Sequence, residues 1–299
     1  MSLPELRQLR YFVAVAEHLS FTTAARELHL AQQSLSQQIA RLERTVGARL
    51  LDRDTRGTRL TEPGRLFLAE ARDVLARAER AVTTARRAEA GEVGRLRLAF
   101  LSSTANYMLP LVVRACRAEL PDVTVTTADL AIEPLVTGLR DGAYDLAFTR
   151  PPLVDDLTTR TLAREPVCAV LPAGHRLAGR SEVALSDLAA EPWVLTPRAS
   201  WPPWHDKYDR DFAAAGFAPD VVERAATVPN LLGLVAAGVG VTRLAASART
   251  LRDTGVVFVP IAGDTAATVA AWRNPHPAAE RLVAILARRA AEEDLTAAG

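Results

Sequence analysis

The sequence predicts a small helical helix-turn-helix module, one long helix, and a larger α/β domain, in that order. Three observations carry this. The first 50 residues hold short amphipathic helical segments separated by a tight break. Residues 63–90 keep an alternating four-three spacing of apolar side chains. From residue 95 onward apolar strand-like runs alternate with helical ones. The boundaries follow as 1–62, 63–90 and 91–299.

In the first module, Leu9, Phe12, Val13 and Ala16 fall on one helical face. Ser20 is a candidate N-cap for a short second helix over about Thr22 to Leu28. His29-Leu30-Ala31 forms the break. A third helix runs from about Gln32 to Val46, and Gly47 ends it. Leu35, Ile39, Leu42 and Val46 make its buried stripe, while Gln33, Gln37, Ala40, Arg41 and Arg44 lie opposite. Glutamine can bond adenine through two atoms and arginine can do the same with guanine, so this face suits base edges. A second helix crossing a first after a tight turn is helix-turn-helix geometry. Candidate nucleic-acid contacts are Thr22, Gln32, Gln33, Ser34, Ser36, Gln37 and Arg41. Periodicity alone leaves a generic bundle with a solvated polar face equally open.

Charge agrees with a nucleic-acid module. Residues 1–90 contain 15 arginines, no lysine and 11 acidic residues; residues 91–299 contain 21 basic and 24 acidic ones. No run of about 18 uncharged apolar residues is present, so no membrane span is expected. Charged residues at Glu5, Arg7, Arg10 and Glu17 break any signal-peptide core, which predicts a cytoplasmic protein. Cys116 and Cys168 each lie in an apolar run and read as buried structural thiols; the other reading is a redox switch. Neither a metal site nor a cofactor is expected, because no Cys/His cluster or phosphate loop occurs. No Ser/His/Asp order or paired-carboxylate motif stands out, which argues against an enzyme. His175, His205 and His276 read as solvated loop histidines.

In the long helix, Phe67, Ala71, Val74, Ala78, Ala81, Ala85 and Ala88 form a seam flanked by Leu68, Leu75 and Val82. Such a seam pairs with a second helix, or lies on its own domain. Glu92-Val93-Gly94 reads as a hinge.

The back domain reads as α/β with mainly parallel sheets. Strands are expected at 95–101, 123–130, 145–149, 167–172, 193–195, 254–260 and 267–273. Helices are expected over 109–120, 135–140, about 203–215, 230–237 and 278–292. Open α/β sheets bind ligands beyond the strand C-termini, where helix N-termini present N–H groups. That selects Ser102-Ser103-Thr104, Thr149-Arg150-Pro151, the loop Thr196 to Trp201 with Pro197, Arg198 and Ser200, and Val228-Pro229-Asn230. Arg150 or Arg198 could pair with a carboxylate. Trp201 and Trp204 either wall an aromatic ligand or pack structurally between lobes or at a dimer contact.

About 45 residues of the front module carry a specific resemblance. Ser20-Phe21, Ala24-Ala25, Leu28, the Gln-x-Ser-Leu-Ser core at Gln32–Ser36, Gln38-Ile39, Leu42-Glu43, Gly47, Leu50-Leu51, Arg53 and Leu60-Thr61-x-x-Gly64 resemble the signature of LysR-type transcription regulators. The resemblance implies a winged helix-turn-helix. The hairpin Asp52–Leu60 would be the wing, and Arg53, Arg56 and Arg59 would reach DNA phosphates. This chain has Gln33 where the family often has proline; Gln33 then either contacts DNA or faces solvent. The phrases LRDGAYDLAF, CAVLPAGHRLA and LVAAGVGV extend the resemblance to the family's sensor domain, of type 2 periplasmic-binding-protein fold. That implies a first lobe over about 91–163 and 267–299 and a second over about 164–266. Hinges would lie near Leu162–Pro166 and Asp264–Thr268. It also implies a small-molecule effector, anionic or aromatic, bound between the lobes. Linker helices would pair antiparallel, giving a homotetramer as a dimer of dimers on a pseudo-palindromic double-stranded DNA site, with RNA polymerase a further partner. Members sensing carboxylated aromatics often carry a hydroxyl where Ile132 stands, which points to a more apolar or differently oriented ligand.

Overall fold

The computed structural model describes residues 3–54, 57–292 and 295; Arg56 lies outside them. The chain divides into two compact units, residues 1–86 and 87–299.

The first unit contains α1 (Leu6–His18), α2 (Phe21–Glu27), α3 (Gln32–Val46), the hairpin β1 (Leu51–Asp54) and β2 (Gly57–Leu60), and most of α4 (Glu62–Glu89). The Ser20 hydroxyl caps α2 by accepting from the Thr23 N–H at 3.3 Å. The N-cap position of α3, Ala31, offers no side-chain bond, and Gly47 at φ 78° ends the helix. Leu35, Ile39 and Leu42 are fully buried against Phe12, Val15, Ala24 and Leu50. Val15 takes the buried place on α1 that spacing gave to Val13, which is half-buried. Val46 is likewise only partly buried. Buried Gln8 was not anticipated. Its Nε2 donates to Gln38 Oε1 at 3.4 Å and its Oε1 accepts from the Glu5 N–H at 3.2 Å.

Two side chains and one missing Cβ fix the wing and α4. Glu43 Oε1 accepts from the Leu50 and Leu51 N–H groups at 2.8 and 3.1 Å, so α3 holds the start of the hairpin. The Thr61 hydroxyl donates to Arg49 O at 2.7 Å and accepts from the Gly64 N–H at 3.0 Å. A Cβ on Gly64 would stand 2.0 Å from Leu50 O, so only glycine lets α4 lie this close to the wing. The Leu-Thr-x-x-Gly pattern is thus a helix start plus a close backbone approach. Further along α4, Ala71 is buried and Phe67, Leu68 and Leu75 pack on the core. Residues 79–86 are exposed on every face, Val82 included, and Val74 is also exposed.

The second unit is built on β3 (Gly94–Leu101), β4 (Val123–Leu130), β5 (Leu146–Thr149), β6 (Thr158–Pro172), β9 (Thr242–Ala245) and β10 (Val256–Trp272). These form one six-stranded sheet in the order β4-β3-β5-β10-β6-β9. A separate parallel pair joins β7 (Pro192–Leu195) to β8 (Asp220–Arg224). The helices are α5 (Ser102–Glu119), α6 (Ile132–Arg140), α7 (Pro202–Ala214), α8 (Val228–Ala236) and α9 (Pro277–Glu292). The expectation of mainly parallel pairing needs correction. β3 pairs in parallel with β4 and β5, but β10 runs antiparallel to both β5 and β6, and β6 antiparallel to β9. The reason is that β6 and β10 are long strands that each traverse both lobes, and they run side by side in opposite directions, so an antiparallel ladder forms the middle of the sheet. The runs expected as separate strands, 254–260 and 267–273, are accordingly one strand, interrupted in its pairing between Pro260 and Thr265. Gly263, at φ 68°, supplies the backbone conformation in that interruption.

One lobe packs Leu96, Leu98, Phe100, Met108, Phe148 and Leu282; Phe100 stacks on Phe148 at 5.0 Å. The other packs Trp193 edge-on to Phe212 at 4.8 Å, with Leu171, Val241 and Val259 around them. Both cysteines are buried and unbonded. Burial pushes the Cys116 thiol up to about 11 and raises that of Cys168. Thiols held protonated and inaccessible favour the structural reading over a redox switch.

Candidate functional site: a DNA-facing helix and an interlobe cavity

On α3, Gln32, Gln33, Ser34, Gln37, Ala40, Arg41 and Arg44 are all exposed, and so is Thr22 at the start of α2. Ser36 is half-buried because its hydroxyl accepts from Arg53 Nη1 at 2.7 Å. The same guanidinium lies over the Phe21 ring, 3.7 Å from its centre. Arg53 is therefore oriented by α2 and α3 rather than swinging freely; burial, opposed by the Glu43 charge, holds its pKa below the ordinary value. Arg59 sits on β2 opposite Asp52. The hairpin and α3 together present a polar, arginine-bearing surface.

In the second unit a cavity of about 520 Å³ opens where the lobes meet. Ser103, Arg150, Pro151 and Pro152 line it from one lobe, and Thr196, Trp204, Lys207, Tyr208, Arg210, Val228, Leu231, Arg243 and Ser247 from the other. Arg164, Val167 and Asp264–Ala267 line it from the crossing strands β6 and β10.

Of the residues proposed from sequence, Ser103, Arg150, Pro151, Thr196, Trp204 and Val228 line this cavity, and the others do not. The α5 helix begins at Ser102 rather than near 109, so Ser102 to Thr104 are its first turn. Ser102 donates to Leu130 O at 3.2 Å. Thr104 is buried and donates to Leu101 O and Phe148 O, tying the helix start to two strand ends. Thr149 is buried, and its hydroxyl has no partner among the described residues. Ile132 is 3% exposed and packs under Trp201 and Leu101. Trp201 is a packing residue: it inserts against Ile132 and Leu157 and donates Nε1–H to Pro152 O at 2.9 Å. Arg198 is exposed and ion-paired to Asp206 and Asp209, both at 2.6 Å, which removes it as the carboxylate partner. Ser200 donates to Pro197 O at 2.6 Å, closing a local turn that uses both residues.

The cavity's charges come chiefly from α7, β6 and β9, which loop-based reasoning missed. Arg243 is 2% exposed and bridges Asp211 at 2.9 Å and Asp264, with its guanidinium 4.6 Å from the Tyr208 ring centre. Lys207 pairs with Asp211 at 2.6 Å. Burial pushes the Asp211 carboxyl up, but the Lys207 bond and the Arg243 charge outweigh it and leave the group below its usual range. Arg150 Nη2 donates to Glu165 Oε1 at 2.7 Å and to Ser247 Oγ at 3.2 Å. Its Nη1 is buried with no partner among the described residues, as is Trp204 Nε1. The histidine expectation also needs correction at 205: His205 is 3% exposed, with Nε2 3.1 Å from Thr196 Oγ1. Burial, then the nearby Arg224 and Arg198 charges, lowers its pKa. The signal that could have found the wall was periodic: Trp204, Lys207, Tyr208 and Asp211 fall on one helical face.

Comparison with known proteins gives the family. Residues 6–65 match the model of the bacterial regulatory helix-turn-helix protein, lysR family, and residues 89–291 match the LysR substrate binding domain. The chain belongs to the LysR family. As a member it is a DNA-binding transcription regulator and not an enzyme. It is 34% identical over 255 residues to the HTH-type transcriptional regulator AlsR of Bacillus subtilis, covering 85% of this chain and 84% of that one. Against the Hca operon transcriptional activator HcaR of Escherichia coli identity is 35%, covering 96% and 98%. Among solved structures, full-length CbnR complexed with its target DNA matches with a TM-score of 0.74 at 29% identity, covering 96% of this chain and 99% of that one. This LysR-family chain has, among its described residues, no helix long and apolar enough to cross a membrane and no metal-holding group of His, Cys, Asp and Glu.

Proposed function

We propose that this regulator is switched by an anionic or aromatic small molecule bound in the interlobe cavity. The observation that carries the reading is the cavity itself. It joins an apolar lining to five basic side chains, in a chain whose other unit exposes a glutamine- and arginine-bearing helix. In this reading α3 enters the major groove, with Gln32, Gln33, Ser34, Gln37 and Arg41 facing bases or phosphates, and Arg53 and Arg59 hold the backbone. The apolar seam of α4, exposed beyond Ala78, pairs with its counterpart in a second copy. A dimer of dimers then meets a pseudo-palindromic site in the cytoplasm. The effector acts through differential affinity for two arrangements of the oligomer.

The test is a footprint of the full-length protein on its own upstream intergenic DNA, with and without metabolite pools fractionated by charge. A protected site with two-fold character, altered by an anionic fraction, is the expected result. Absence of any retarded complex at low salt overturns the reading.

A further inference from the structure

The cavity has two poles, and on one of them the fold uses most of the donors itself; Arg150 there bonds Glu165 and Ser247 and keeps one buried Nη1 without a partner among the described residues. At the first lobe's helix starts, Ser102 and Thr104 are committed to backbone carbonyls. At the start of α6, Ile132 is buried in the same apolar cluster as Trp201. On the opposite wall the situation reverses. Arg164 on β6 and Arg210 on α7 both line the cavity and are exposed, and neither guanidinium makes an ion pair or hydrogen bond among the described residues. Lys207 stands one turn before Arg210, and Arg243 behind it is locked by two carboxylates. At the start of the same helix, Trp204 lines the cavity, and its Nε1–H is buried with no acceptor among the described residues. A buried donor without an acceptor costs free energy until something supplies one.

We infer that α7 is the helix that reads the effector: Arg164, Lys207 and Arg210 bind its acid group, and Trp204 Nε1–H donates to an acceptor elsewhere on it. The inference rests on the cavity reading above. The helical rise sets the spacing, because Lys207 and Arg210 lie roughly 4.5 and 9 Å along the axis from Trp204. The matching ligand is an organic acid with an apolar or planar body, carrying a hydrogen-bond acceptor roughly 5–9 Å from the acid. Val228, Leu231 and Ala267 supply the apolar wall that the body would cover.

Two dyes test this on the full-length protein: 8-anilinonaphthalene-1-sulfonate, an aromatic anion, and N-phenyl-1-naphthylamine, its uncharged counterpart. The sulfonate should bind saturably and about tenfold tighter than the amine. The double variant Arg164→Gln/Arg210→Gln should weaken the sulfonate about tenfold or more and leave the amine unchanged, as expected for loss of charge-assisted bonds. Both arginines are exposed and unpaired, so this variant should fold normally. Trp204→Phe keeps the apolar surface and should weaken the sulfonate about threefold. Leu231→Trp, at a residue lining the cavity, adds bulk there and tells the cavity reading apart from the α7 assignment. If Leu231→Trp abolishes sulfonate binding while the double arginine variant leaves it intact, the α7 assignment is overturned and the cavity reading stands. Sulfonate binding that survives Leu231→Trp, or no saturable binding at all, overturns the cavity reading itself. Equal affinity for the two dyes overturns the anion assignment.

Discussion

Arg41 and Arg44 in the first unit stand exposed on one helix face, whereas Arg243 in the second is 2% exposed and Arg150 is 12% exposed, each with a carboxylate in hand. Both sets use the same guanidinium, but their surroundings differ. The outward arginines have only loose exposed contacts, Arg41 with Glu5 at 3.9 Å and Arg44 with Ala40 O at 3.4 Å, so their charge stays open to a polyanion. The inward ones neutralise carboxylates that could not be buried alone. Substitution should therefore separate the two settings: changes at inward arginines act on stability, and changes at outward ones act on binding.

The largest expected effect is inside. Arg243→Ala leaves Asp211 and Asp264 without their shared cation and should cost about 3–5 kcal/mol of stability, read by urea unfolding. A variant as stable as the parent would break the comparison. Next comes Gly64→Ala, whose methyl would meet Leu50 O; the strain of relieving that contact should cost about 2 kcal/mol, seen as a lowered Tm of the first unit. Arg41→Ala comes third and should leave stability within about 0.5 kcal/mol. It should also lower DNA affinity about tenfold and flatten the salt dependence by about one ion, measured by fluorescence anisotropy across salt. A stability loss as large as that of Arg243→Ala would show that the outward face is structural after all.

The smallest effect concerns pH. His205 is kept neutral by burial and by Arg224 and Arg198 beside it, so its folded pKa lies below its unfolded value near 6.5. The unfolded chain then binds the extra proton. The stability His205 contributes is full above about pH 6.5 and is lost as pH falls through that value toward the folded pKa. Thermal melts between pH 7 and 5.5 should slope downward in the parent and less so in His205→Gln.

The same contrast explains what could be read from the chain beforehand. In the first unit each assignment depended on neighbours within a turn or two: Ser20 before α2, Leu35-Ile39-Leu42 along α3, Gly47 at its end. Local spacing carries that information, and the structure agrees down to the cap bond on Thr23. The cavity depended on distant partners. Arg150 meets Ser247 across 97 residues, and Trp201 meets Pro152 across 49. Nothing near Arg198 in sequence indicates that Asp206 and Asp209, one and two turns along α7, will take its charge. The loops after strands were legible as places, but which of their side chains stay available was not. That depends on which donors the fold uses for itself, as Thr104 and Ser200 show. The antiparallel β6 and β10 ladder was missed for the same reason, since its two strands are paired over a separation of about a hundred residues.

That ladder has a consequence for how the second unit comes apart. β6 and β10 stay hydrogen-bonded from Val256–Pro172 at one end to Trp272–Thr158 at the other, with the pairing interrupted near Gly263. Each lobe owns half of the same two strands, so melting one lobe strips the ladder that the other needs. The two lobes should therefore lose structure together, in a single calorimetric transition whose calorimetric and van't Hoff enthalpies agree. Bridging groups such as Trp201 make the coupling tighter still.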